Sequence, residues 1–185
     1  MTADAQSAPP RRPDVALAPL LPAHAADTYR WVCDPETSRH LGLRRTPSLE
    51  ATADWIAAAA ADPTVHAFAI TAGGRHVGNV VLDQLDSYLG SARLSIYIGA
   101  EARGGGVGGA ATGLALAQAF TTLGLHKVWL NVHSRNAPAV AAYAAAGFAV
   151  EGVLRDEFLL DGKRLPALRM AVLRPDWERS GARRG

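Results

Sequence analysis

The chain has 185 residues, 49% hydrophobic and 19% charged, with a formal net charge of +2 and a pI of about 9.0. These values suit one globular domain with a sizeable core and exclude a polybasic nucleic-acid binder. Cys33 is the only cysteine, which rules out an internal disulfide or a cysteine-rich metal site, and no apolar run of about 18 residues is present to span a membrane, so a reducing cytoplasm is the expected setting.

Residues 1–13 are rich in Ala, Pro and polar groups and read as a disordered leader. Arg11-Arg12 could open a twin-arginine export signal, but Pro13 and Asp14 follow at once and no clean apolar segment comes after. Val15 to Leu20 reads as a first strand. His24 to Val32 reads as a helix with Ala25, Tyr29 and Val32 on one face. Thr46-Pro47 suits a cap and first helical residue, and the spacing then places Leu49, Ala53, Ile56 and Ala60 on one side of a second helix that ends at Asp62-Pro63. Val65–Thr71 and His76–Leu82 are strands joined by the turn Ala72-Gly73-Gly74-Arg75, and a polar loop over Asp83–Gly90 leads to another strand over Ser91–Gly99.

That strand runs into Arg103 and a glycine cluster: Gly104, Gly105, Gly106, Gly108 and Gly109 surround Val107. Glycines let a backbone approach a ligand closely, and the helix that starts here, about Gly108 to Leu123, carries a partial positive charge at its N-terminus. Phosphate is the natural guest. A P-loop would close on Lys-Ser or Lys-Thr, whereas Ala110 and Ala111 follow here. The spacing Gly106-x-Gly108-x-x-Ala111 matches a dinucleotide fingerprint on paper. It lacks the acid expected about 20 residues on, because Ala102 to Val150 contains no Asp or Glu.

The helix is apolar, with Leu116, Phe120 and Leu123 on one stripe, and Gly124 caps it. A strand follows over Lys127–Val132. Asn136 then suits an N-cap and Gly147 a C-cap for a short helix over Ala137–Ala146, which puts Tyr143 two turns beyond Asn136 on the same face. A strand from Phe148 to Leu160, the turn Asp161-Gly162 and a strand from Arg164 to Leu173 complete the pattern. The domain is therefore taken as 14–177, with a flexible polar tail over 178–185.

Arg103-x-x-Gly106-x-Gly108, followed by Asn136-x-x-Ala139-x-x-x-Tyr143-x-x-x-Gly147-Phe148, resembles the GCN5-related N-acetyltransferase (GNAT) superfamily across roughly Val15 to Trp177. The segment from Leu17 through Trp31-Val32-Cys33-Asp34-Pro35 to Leu43 is similar, more loosely, to the ribosomal-protein N-terminal acetyltransferase branch. The ending resembles both that branch and the spermidine and amino-sugar acetyltransferases. The resemblance implies an α/β (α+β) fold: a mixed central sheet of about seven strands, splayed between the fourth and fifth, with about four helices.

It also implies acetyl-coenzyme A as donor, with coenzyme A held by main-chain groups from Arg103 to Gly109 and by Asn136. The pantetheine arm would lie in the splay between the strands ending at Ile98 and Val132. The Ile98 N–H, beside a bulge in its strand, would meet the thioester oxygen, and Tyr143 would act as the acid for the leaving thiolate. Candidates for the base are Glu101, Asp83, Asp86, His133, Asp156 and Glu157, or a relaying water. Trp31, Glu101 and His133 are expected around the acceptor. The acceptor itself is expected to be a protein N-terminal amine, with a polyamine or an amino sugar or other small metabolite as alternatives, and a coenzyme A-binding sensor without turnover as the reading of another class. No nucleic acid, membrane or metal is expected as a partner. A homodimer is left open.

Overall fold

The computed structural model describes residues 14–41, 43, 45–160 and 162–182. The proposed leader, and Asp161 of the last turn, lie outside the described residues. Seven strands form one sheet: β1 (Val15–Pro19), β2 (His66–Ala72), β3 (Arg75–Asp86), β4 (Ser91–Ile98), β5 (Lys127–His133), β6 (Ala149–Leu160) and β7 (Lys163–Leu173). Their order is β1-β2-β3-β4-β5-β7-β6, and every neighbouring pair is antiparallel except β4 with β5. That parallel pair holds register only at Ser91↔Lys127, Ala92↔Val128 and Arg93↔Trp129. Beyond it the two strands separate, which is the splay expected from the sequence.

The helices are α1 (Ala25–Cys33), α2 (Pro35–Leu41), α3 (Leu49–Ala61), α4 (Val107–Ala117), α5 (Ala137–Ala145) and α6 (Arg174–Ala182). Two of these six described helices exceed the expected four. Asp34 starts α2 by accepting from both the N–H and the hydroxyl of Thr37, at 2.9 and 2.7 Å. Its seven residues carry no apolar stripe for periodicity to detect. The last helix extends through Ala182, into the stretch expected to be tail, with Arg174–Glu178 and Asp176–Arg179 pairs along it.

α3 starts two residues later than expected. Ser48, not Thr46, is its cap, accepting from the Ala51 N–H at 3.0 Å. Its buried positions are Thr52, Ile56 and Ala59, while Leu49 is exposed. The reason is tertiary: Ile56 packs with Leu20, Ala25 and Ala69, so the face toward α1 and β2 wins over the most apolar stripe. On α1 the buried set is likewise Ala25, Thr28, Trp31 and Val32 rather than one through Tyr29.

The main core lies where α4 crosses the sheet. Ala111, Ala115, Leu116, Ala119 and Phe120 bury against Val80, Leu82, Leu94, Val128, Leu130 and Met170. Small alanines let the helix axis sit close to the strands, and the larger side chains fill the edges. A π-type turn over Gln118–Thr122 extends α4, and Gly124, at φ +67, ends it in the left-handed conformation that a C-terminal glycine supplies.

Two irregularities bear on the site. β4 pairs with β3 in unbroken register from Arg93 to Ile98, so no bulge lies beside Ile98. The break is on β3 instead, between Asp83 and Asp86, where Gln84 adopts φ +49. A second break places three residues of β6, Arg155 to Glu157, between the pairs Leu154↔Ala167 and Phe158↔Leu165, with Asp156 at φ +57. Pro166, which has no N–H for a ladder bond, faces this bulge from β7.

Candidate functional site

The open end of the β4–β5 pair forms a cavity of about 540 Å³. Gly99 N–H bonds to the Val77 carbonyl at 2.8 Å, and in an antiparallel ladder such bonds recur at alternate residues. The main-chain groups of Ile96 and Ile98 therefore point away from β3 and into the splay. On β5, Ser134 N–H bonds to the Pro166 carbonyl, so the groups of Asn131 and His133 point away from β7 and into the same gap. Two strand edges face each other with their donors and acceptors unused by the sheet. The N–H of Ile98 reaches the splay without the expected bulge, through ordinary alternation.

The glycine loop closes one end of this cavity. Gly104 and Gly106 adopt φ +80 and +78, a conformation costly for any residue with a Cβ. Gly106 is the N-cap of α4 and supplies no side chain. The first N–H groups of the helix, those of Val107, Gly108 and Gly109, have no acceptor within the helix. A Cβ built at Gly104, Gly105 or Gly109 would meet no atom within 4 Å, so the loop is open to approach from outside. A cradle of amides at a helix N-terminus fits a diphosphate.

α5 forms the facing wall. Asn136 caps it, its Oδ1 accepting from the Ala139 N–H at 3.2 Å, and this leaves the amide nitrogen for a ligand. Tyr143 lines the cavity with its ring centroid 5.7 Å from that of Phe148. Burial pushes its phenol up to about 12. The structure thus brings Ile98, Arg103, Gly104, Gly106, Val107, Gly108, His133, Asn136 and Tyr143 together around one cavity. Gly105 and Gly109 belong to the same loop but are not part of the cavity lining.

Trp31 and Glu101 stand apart from the lining. Trp31 is buried, and its Nε1 donates to Glu101 at 3.0 Å, while Arg30 reaches the same carboxylate at 3.0 Å. The Glu101 carboxyl is held below its usual range, first by its own backbone N–H and then by Trp31 and Arg30, which makes it a poor base. Gly99 permits this arrangement, since a Cβ there would collide with the Trp31 indole. Trp31 packs edge-on to Tyr97, a cavity residue, so its contribution to the acceptor side is made from behind.

The other candidate bases separate by position. Asp83 is bound bidentately by Arg93 at 2.8 and 2.7 Å. Asp86 accepts from the Leu89 N–H in the β3–β4 turn. Asp156 is exposed on the β6 bulge. Glu157 lines the cavity and accepts from the Asn131 amide at 3.2 Å. His133 is a buried cavity residue whose Nδ1 accepts from the Arg135 N–H at 3.1 Å. A neutral imidazole accepting there carries its proton on Nε2.

Sequence reasoning missed Glu36, Thr37 and Leu41 of α2, and Tyr97 with the polar cluster behind it. The signal for α2 was present as Asp34-Pro35-x-Thr37, a cap followed by proline. Asn79, fully buried, had no signal at all.

Comparison with known proteins agrees with this geometry. The acetyltransferase (GNAT) domain family matches residues 14–149. A spermidine N(1)-acetyltransferase of Escherichia coli (strain K12) is 33% identical over 111 residues, 60% of this chain and 60% of that protein. One from Vibrio cholerae is 36% identical over 97 residues, 52% of this chain and 56% of that protein. The match thus spans somewhat over half the length of these relatives. The crystal structure of spermidine N-acetyltransferase from Vibrio cholerae in complex with CoA and spermine superposes with a TM-score of 0.85 at 24% identity, covering 89% of this chain and 98% of that one, and shows the same fold.

Proposed function

This chain belongs to the GNAT acetyltransferase family, and on that premise we propose that it transfers the acetyl group of acetyl-coenzyme A to a primary amine of a polyamine. The observation that carries the transferase reading is the pairing of an amide cradle at Gly104–Gly109 with Tyr143 along one cavity. The polyamine acceptor rests on the two spermidine acetyltransferase relatives. It replaces the protein N-terminal amine expected from the Trp31–Pro35 segment, for which Trp31 offers no surface to the cavity.

The residues divide the work as follows. Amides of Val107, Gly108 and Gly109 hold the diphosphate, and the Asn136 amide adds a donor. The strand edges at Ile96, Ile98 and Asn131, which face away from their sheet neighbours, take the amides of the pantetheine arm as a sheet takes an added strand. The Ile98 N–H polarises the thioester carbonyl, a contribution of about 10²–10³ in rate for a single such donor. The uncharged amine forms a C–N bond at the thioester carbon as the C–S bond breaks; Tyr143 gives its proton to the departing sulfur, and the proton shed by the nitrogen passes through water to the tyrosinate. A phenol raised to about 12 stays protonated throughout the physiological range, but the same shift weakens it as an acid, so its role rests on its place in the cavity and not on its acidity.

The test is release of free thiol from acetyl-coenzyme A with a panel of amines. Spermidine and spermine should turn over fastest, ahead of N-terminal peptides and amino sugars. Faster turnover of peptides would restore the N-terminal amine. Tight binding of coenzyme A with no turnover on any amine would favour a sensor.

A further inference from the structure

Arg103 opens the glycine motif, and the resemblance implies a place for its main chain in holding coenzyme A. Its side chain goes elsewhere. Nη1 donates to Glu36 at 2.8 Å, Nη2 to Thr37 Oγ1 at 2.6 Å and to Asp34 at 3.5 Å, and Nε donates to the Ile98 carbonyl at 3.0 Å. Four contacts take up most of the five N–H groups of a guanidinium. Asp34 and Thr37 are also bonded to each other at the start of α2, so the arginine grips a feature that is already ordered.

The two ends of this grip matter. Glu36, Thr37 and Leu41 place α2 along the cavity. Ile98 is the strand end whose N–H faces the splay. We propose that Arg103 is a positioning residue that fastens α2, as the acceptor-side wall, to the reactive end of β4, and that the main-chain amides rather than this guanidinium hold the diphosphate. This rests on the transferase reading above. An exposed ion pair alone would contribute little. Here one side chain only 31% exposed joins two carboxylates, a hydroxyl and a strand carbonyl, a geometry that is specific rather than merely attractive.

The proposal separates two Michaelis constants. Arg103→Ala should raise the KM for polyamine about tenfold and leave that for acetyl-coenzyme A within about threefold. Glu36→Ala, which removes the partner and no phosphate contact, should do the same. The double variant should be no worse than Arg103→Ala alone, because the Glu36 contact is one of those that the arginine change already removes. Arg103→Lys should restore little, since a single ammonium with three N–H groups cannot reproduce the fork that meets these four acceptors. A rise in the KM for acetyl-coenzyme A of tenfold or more, with the amine constant unmoved, would overturn the proposal, and so would additive effects in the double variant.

If the wild-type protein acetylates no amine, the transferase reading fails and the clamp remains testable. Amide exchange over residues 35–41 should quicken in Arg103→Ala while the coenzyme A dissociation constant, read by calorimetry, stays within about threefold. Unchanged exchange there would reject the clamp on its own terms.

Discussion

The Asn79 amide donates to the Tyr97 hydroxyl at 2.7 Å from a position that solvent does not reach. The same nitrogen donates to Thr28 Oγ1 at 2.8 Å, and the Asn79 oxygen faces His76 Nε2 at 2.7 Å. One side chain on β3 thus joins α1 to β4 behind the cavity wall. Trp31 covers the cluster, packing on His76 and Tyr97.

Replacing Asn79 by Leu keeps the branching at Cγ, adds bulk to a fully buried position and strands three polar partners. The cost should be about 2–4 kcal/mol, at the upper end for a polar core position. For a chain of this length that is a fall of roughly 4–16 °C in Tm, read by thermal unfolding. A shift under about 2 °C would mean that water enters and satisfies the cluster.

Tyr143→Phe removes the proposed acid and keeps the ring on Phe148. The expected result is a kcat lowered more than about tenfold with unchanged affinity for acetyl-coenzyme A, measured by steady-state thiol release and by calorimetry. A kcat within about twofold of wild type would take Tyr143 out of the chemistry.

The buried phenols also set a pH dependence of stability. Tyr97 and Tyr143 are both pushed up to about 12, by burial in each case, with hydrogen bonds from Asn79 and Thr28 partly opposing it at Tyr97. An unfolded tyrosine titrates near 10. Between about pH 10 and 12 the unfolded chain releases protons that the folded one keeps. The contribution is whole below pH 10 and is lost as pH rises through 12. Urea midpoints should therefore fall from pH 9.5 to 11.5, with a shallower fall in Tyr143→Phe; identical slopes would mean that the phenol is solvated.

Much of this was legible in the chain, and the limits have physical causes. The glycine loop, the Asn136 cap and Tyr143 were readable because helix starts and left-handed turns need particular residue types. Asn136 caps through its own side chain, and Gly104 and Gly106 hold positive φ. The buried face of α3 was misread because burial there follows what α1 and β2 present, which no local pattern encodes. Glu101 looked like a cleft acid from its place after β4. The turn over Ala100–Ala102 carries it instead onto Trp31 and Arg30. Arg103 was assigned by motif, and only the fold reveals that α2 reaches it.

Gly106 offers the sharpest test of the cradle. Its φ of +78 starts α4, whose first residues, Val107 and Gly108, line the cavity. Gly106→Val introduces a β-branched residue into the left-handed region, at a cost of about 1–3 kcal/mol if the backbone holds. Relaxation toward negative φ would turn the amides of those residues away. Either route should raise the dissociation constant for coenzyme A more than about tenfold, while a Tm lowered by only a few degrees shows the domain still folded. Gly113→Ala is the control. It lies within the same helix, where a Cβ meets nothing within 4 Å, so it should stabilise the helix by up to about 1 kcal/mol and leave coenzyme A binding alone. Equal affinities in the Gly106 variant and the wild type would mean that the diphosphate does not sit on these amides, and the site would have to be sought elsewhere in the cleft.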